Sequence, residues 1–259
     1  MKFHILALAV AAVVAAPAFA AGVEPATAQL INSFPANVPA TFAPSPNVVD
    51  ASAFYSNVTT FQGFGFLNGG AAVDPALPAN TLTPLVCDDN TYNAPVARTL
   101  TGYRFSVANL GAAAISARPL IRFFSDNANA PGTFLGGNNF NAITFNPGSV
   151  GVYTIGTLPT PIVFPGIGAA VKIWSCTAFD NNSGATGATA AGLNNLGVGL
   201  YTPVDRGTSA DLFFLTTGNA LVNNPPGSTG TIGGAVANFG FELRDAVTLP
   251  VELQSFEVK

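Results

Sequence analysis

The sequence predicts an all-β chain, an antiparallel β-sandwich of jelly-roll-like strand order behind an extended N-terminal leader. Three observations lead there: short runs alternate with period 2, Gly/Pro/Asn turn signals separate them, and helical periodicity is almost absent. The run 170–180, Ala-Val-Lys-Ile-Trp-Ser-Cys-Thr-Ala-Phe-Asp, is read as the central strand. Alternation puts Val171, Ile173, Ser175, Thr177 and Phe179 on one face and Lys172, Trp174, Cys176, Ala178 and Asp180 on the other. Neither face is wholly polar, so both are expected to be covered.

In chain order, residues 1–20 read as a secretory signal peptide: a short basic start, an apolar run from Ile5 to Ala16, and the small-residue pattern Ala18-Phe19-Ala20. The apolar run is shorter than the roughly 20 residues a membrane-spanning helix needs, and no later stretch offers one. Residues 21–56, rich in Pro, Ala and Asn, read as the leader, and 57–259 as a single domain. Asn57 to Leu67, with Phe61, Phe64 and Phe66 before Asn68-Gly69-Gly70, reads as the first strand. Leu82 to Cys87 follows as a short strand running into an Asp88-Asp89-Asn90 turn. Thr99 to Asn109 alternates cleanly, with Thr101, Tyr103, Phe105 and Val107 on one face. Ala113 to Phe124 places Arg118 and Arg122 on a shared face, and Pro119 between them predicts an edge or a break.

Turn signals at Pro131-Gly132, Pro147-Gly148 and Pro165-Gly166 bracket strands at Ala142 to Phe145 and Val150 to Ile155. After the central strand, 181–196 reads as loop with at most one short helix. Strands are expected at Ala210 to Thr217, Ala235 to Leu243 and Val247 to Val258, the last at an edge because of Pro250.

Charge and residue inventory narrow the function classes. The formal net charge is −4 with no basic cluster, which argues against nucleic acid as a partner. The one histidine, His4, lies in the signal peptide, so a mature chain has no imidazole for a Ser-His-Asp or Cys-His arrangement or for a zinc site. No phosphate-cradling motif is present. Asp88, Asp89, Asp180, Asp205, Asp211 and Glu242 are the acids available for glycoside hydrolysis, but nothing pairs two of them. The chain is therefore expected not to be an enzyme.

Cys87 and Cys176 form an even pair, and in an oxidising compartment such a pair is expected to be a disulfide. Asp88, Asp89, Asp180 and Asn182 supply the hard oxygens that calcium takes, although Asx-rich turns form without metal. If the two cysteine strands run parallel, the acids approach within about 10 Å; if antiparallel, they diverge to about 20 Å and cannot share an ion. Tyr92 and Tyr201, placed in loops, are the aromatics best suited to stack on a sugar; Trp174 is expected in the core.

Several stretches carry a resemblance: Val86-Cys87-Asp88-Asp89, Thr101 to Asn109, Arg118 to Phe124, Pro131-Gly132-Thr133-Phe134, Lys172-Ile173-Trp174, Ser209-Ala210-Asp211 and Ala237-Asn238-Phe239-Gly240. Together they resemble secreted bacterial β-sandwich proteins, many of them exosortase-sorted with a PEP-CTERM tail. That resemblance implies a cell-surface or matrix location and no catalytic residues; the signal peptide alone also allows the periplasm. The end of this chain departs from the tail pattern: 249–259 reads Leu-Pro-Val-Glu-Leu-Gln-Ser-Phe-Glu-Val-Lys, without Pro-Glu-Pro, apolar helix and basic cluster. Three roles follow as expectations: a structural or adhesive module of a surface layer or matrix, a calcium-stabilised module binding surface glycan, or a self-associating subunit that exchanges strands.

Overall fold

The computed structural model describes residues 49–218, 221–232, 236 and 238–245. The signal peptide, residues 21–48 of the leader and the strand expected at Val247 to Val258 lie outside them. In chain order the elements are β1 (Ala53–Ser56), β2 (Phe61–Leu67), β3 (Ala72–Val73), β4 (Thr81–Leu82), β5 (Val86–Ala94), β6 (Arg98–Asn109), β7 (Ile115–Asp126), β8 (Pro131–Asn139) and β9 (Ile143–Phe145). Then come β10 (Ser149–Ile155), β11 (Ile162–Phe164), β12 (Gly168–Asp180), the one-turn helix α1 (Ala190–Leu193), β13 (Leu196–Tyr201), β14 (Phe213–Thr216), β15 (Gly227–Gly230) and β16 (Phe241–Asp245).

These strands build the expected sandwich from a seven-stranded and a nine-stranded sheet, antiparallel at every pairing among the described residues. The seven-stranded sheet runs β1-β16-β6-β13-β2, with β10 and β11 on the far side of β6. In the nine-stranded sheet β12 is central: β5 and β4 pair along one side of it, β7 along the other. The chain passes between the sheets at most connections, the jelly-roll-like feature of the order.

The inward faces follow the alternation. Tyr103, Phe105 and Val107 of β6 meet Ile173 and Phe179 of β12 and Phe123 of β7 in one core, all of them buried. Ring contacts lock it, with Phe105 stacked on Phe140 at 5.4 Å and Tyr103 edge-on to Phe123 at 5.3 Å. The other face of the nine-stranded sheet carries a second core of Leu82, Leu85, Leu120, Phe124, Trp174, Phe214 and Leu221 around the cysteines. Each large apolar side chain buried in this way contributes about 1.5–3 kcal/mol. Cys87 and Cys176 are direct cross-strand partners joined by a disulfide, as expected. Trp174 lies beside the bridge, edge-on to Phe214, and its indole N–H donates to Asp126 Oδ1 at 2.8 Å.

Four local expectations change. Ala53–Ser56, expected at the end of the leader, is a fully buried strand that pairs with β16, so the domain begins before Asn57. Asp88-Asp89-Asn90 is not a turn but the middle of β5. Pro119 lies inside β7, and the break it predicts is in the neighbouring edge: β8 ends and β9 begins opposite it, and Phe140 N–H donates to its carbonyl at 3.1 Å. Finally, β13 occupies a stretch expected partly as loop; a Cβ at Gly197 would lie 1.9 Å from the carbonyl oxygen of Phe66, so this strand needs glycine to sit against β2.

Candidate functional site

The antiparallel register sends the acids beyond the disulfide in opposite directions. Asp88 and Asp89 pair across from Ser175 and Trp174, whereas Asp180 pairs across from Leu82 and Arg118. Asp89 and Asp180 are thus six positions apart along β12, about 20 Å at the rise of an extended strand. Asp88, Asp89, Asp180 and Asn182 therefore do not form one calcium site. No group of three or more His, Cys, Asp or Glu side chains placed to hold a metal occurs among the described residues.

Asp180 belongs to a polar recess between β7, the end of β12 and the segment joining β3 to β4. Its lining includes Asp74, Asn80, Arg118, Arg122, Asn139 and Asp180. The ladder itself positions the pair at its centre, because Asp180 and Arg118 are register partners. Arg118 Nε donates to Asp180 Oδ1 at 2.8 Å and Nη2 donates to Oδ2, a bidentate geometry that fixes both side chains. Asn80 Nδ2 also donates to Asp180 Oδ2 at 3.0 Å, and Asn182 N–H to Oδ1 at 3.1 Å.

Arg122, four residues further along β7, is fully buried. Its guanidinium donates to the carbonyls of Ile121 and Asn138 at 2.9 and 3.0 Å and to Asn139 Oδ1 at 2.6 Å. Burial lowers its proton affinity, and the charge of Asp180 partly opposes that. The two arginines do share a face, as their spacing predicts. The room a water-sized molecule finds in it is about 20 Å³, enough for about one water, so this recess takes at most one small polar group. A cation entering it would have to displace Arg118 from Asp180.

Asp88 and Asp89 form a second cluster, on opposite faces of β5. Asp88 faces into the sandwich, where its Oδ2 accepts from Phe239 N–H at 3.1 Å and Asn90 Nδ2 at 3.3 Å. Its Oδ1 lies 3.4 Å from Ser209 Oγ, which donates in turn to Asp89 Oδ1 at 2.9 Å. Asp89 also accepts from Ala210 N–H at 3.1 Å and is paired with Lys172 at 3.1 Å. Burial, then the charge of Asp89, pushes the Asp88 carboxyl well above the usual carboxylate range. Burial thus favours the protonated form of Asp88 beside the Lys172-paired Asp89, and Ser209 links them. What the pair does is clasp the segment around Ser209 and Phe239 onto β5.

Glu242 centres a third buried cluster, held by Arg104 at 3.3 Å, Ser56 Oγ at 3.1 Å and Asp50 N–H at 3.1 Å. The tyrosines move inward relative to expectation. Tyr92 is in β5, 1 % exposed and edge-on to Phe54 at 4.8 Å; Tyr201 ends β13, 5 % exposed and packed on Phe61 at 5.5 Å. Neither presents a ring face to solvent.

Sequence reading missed Asn80 and Ser209 as partners of these acids. No local signal marks them, because each reaches its acid from a remote part of the chain. Comparison with protein-family models, curated proteins and solved structures gave no match for this chain.

Proposed function

We propose that the protein is an exported structural or adhesive module of an extracellular matrix or surface layer, acting through its surface rather than by catalysis. The observation that carries this reading is the open edge of the seven-stranded sheet. There β2 pairs with β13 alone among the described residues, and it leaves Phe61, Phe64 and Leu67 41 %, 59 % and 40 % exposed. Strands of this kind recruit other chains unless charge or proline blunts them, and no charged residue occurs from Val58 to Val73.

Supporting features are the internal employment of Asp88, Asp89, Asp180 and Glu242 in hydrogen bonds, and a disulfide compatible with an oxidising compartment. Among the described residues no helix is long and apolar enough to cross a membrane. The glycan-binding alternative has its two stacking tyrosines in the interior, and the calcium alternative has its ligands divided between two clusters. Retention of the purified protein on a hydrophobic or cell-wall matrix, lost in Phe61→Ser/Phe64→Ser, is the expected result. Calcium-dependent binding to a defined glycan that survives those changes would refute the proposal.

A further inference from the structure

We infer that the partner of the β2 edge is the β2 edge of a second copy, the two strands pairing antiparallel about a two-fold axis at Phe64. This rests on the surface-acting reading above and gives it a specific partner.

The argument begins with the sequence of β2, Phe61-Gln62-Gly63-Phe64-Gly65-Phe66-Leu67, which is nearly symmetric about its centre. Antiparallel pairing centred on Phe64 sets Phe61 opposite Leu67 of the second copy, Phe64 opposite its own counterpart, and Gly63 opposite Gly65. The three side chains that β2 exposes therefore face one another across the axis. Isologous interfaces require this self-complementarity, in which residue i meets j and j meets i.

Local geometry agrees. Phe66 turns into the sandwich, 4.7 Å from Phe213 and 5.6 Å from Phe239, so it anchors the strand. Asn68 N–H donates to Leu196 O, and alternation along the ladder then turns the backbone groups of Gly65 and Leu67 away from β13, to the side left unpaired among the described residues. The pairing slips between Gly199 and Tyr201 on β13, and Gly63 within that bulge has φ of +86°, a conformation that glycine accepts without strain. It swings Phe64 outward, making it the most exposed aromatic of the edge. Charge raises no barrier either: a chain of net −4 brings two uncharged strands together here.

The interface is small. Two strands of this length fall below the roughly 1,200 Å² total of a stable complex, so the dimer is weak and depends on concentration. Because both copies spend the same edge, association stops at two and joins the two seven-stranded sheets into one.

Sedimentation velocity over a concentration series tests this, with the expected result a monomer–dimer equilibrium that Phe64→Lys shifts toward monomer by at least tenfold. Phe64→Lys alters an exposed side chain, and an unchanged thermal midpoint confirms its fold. Register is read by cysteine pairing, the native cysteines being bridged. Under mild oxidation Phe64→Cys should form a covalent homodimer at least tenfold faster than Ile167→Cys, a control at an exposed turn. Phe61→Cys mixed with Leu67→Cys should cross-link faster than either alone. A wild-type monomer at every concentration, Phe64→Cys cross-linking no faster than the control, or undiminished association of Phe64→Lys would each overturn the pairing. Surface retention by a strictly monomeric wild type would leave the proposed function standing while removing the dimer, so the two fail separately.

Discussion

Replacing both cysteines with alanine tests how far the fold depends on its one covalent cross-link. The bridge joins positions 89 apart in the sequence. In the chain-entropy account, closing a loop of that length removes about 15.5 cal/mol/K from the unfolded ensemble, or about 4.6 kcal/mol at 25 °C. Measured values fall short of that ceiling because the unfolded chain keeps some structure, so a loss of about 3–5 kcal/mol is expected. Against a total stability of about 5–15 kcal/mol this is a large share. The assay is urea unfolding followed by the fluorescence of Trp174, the only tryptophan, which sits in the same buried cluster as the bridge. Because both cysteines are fully buried, reductant alone should leave the native protein oxidised and should act only once urea opens it. A loss below about 1 kcal/mol, or ready reduction of the native state, would refute the reasoning: the strands around the bridge would then hold the unfolded chain together, or the second core would open on its own.

Other perturbations separate the polar clusters. Burial raises the affinity of Asp88 for a proton in the fold. Its contribution is thus fully present below the usual carboxylate range and is lost as pH rises from there through the raised native value. Asp88→Asn should flatten that decline and be more favourable relative to wild type at pH 8 than at pH 4; equal differences in chemical denaturation at both pH values would count against that raised affinity. Asp180→Ala strands Arg118 in the recess and should cost about 3–5 kcal/mol, whereas Arg118→Met/Asp180→Leu, which removes both charges, should recover a substantial part of it. Ser209→Ala removes the link between Asp88 and Asp89 and should cost about 1–2 kcal/mol by urea denaturation, with the pH dependence of stability altered as well.

The parts legible in the sequence are those written in local alternation. In β6 and β12 side-chain parity alone assigned each residue to a face, and the two-sided apolar character of 170–180 marked a strand covered on both sides. Cysteine arithmetic found the disulfide for the same reason: the pair had no other partner to choose. Where local chemistry and tertiary context compete, the reading misled. Asp88-Asp89-Asn90 has the composition of a turn, yet Ser209, Ala210 and Phe239 supply partners from more than a hundred residues away and make an acidic strand tolerable. Leu-Gly-Val-Gly-Leu-Tyr at β13 lacks the bulk expected of a strand, but Gly197 is what allows β2 to approach. Tyr92 and Tyr201 looked like loop residues because the strands holding them were not foreseen in full.

The position of β12 between β5 and β7 also sets an order in time. The hairpin of β7 and β8, closed by the two-residue turn Ala128-Asn129 with positive φ at both positions, needs only neighbouring residues. β12 has no such local partner. It must wait for β5, emitted far earlier, and seat in the slot between β5 and β7 before Cys176 can meet Cys87. Topologies dominated by distant pairings fold slowly, over milliseconds to seconds, and until β12 arrives the flanks of β5 and β7 stand open to other chains. Formation of the sulfur bridge is therefore the late event that marks closure of the nine-stranded sheet, and quenching free thiols at intervals during oxidative refolding would date it.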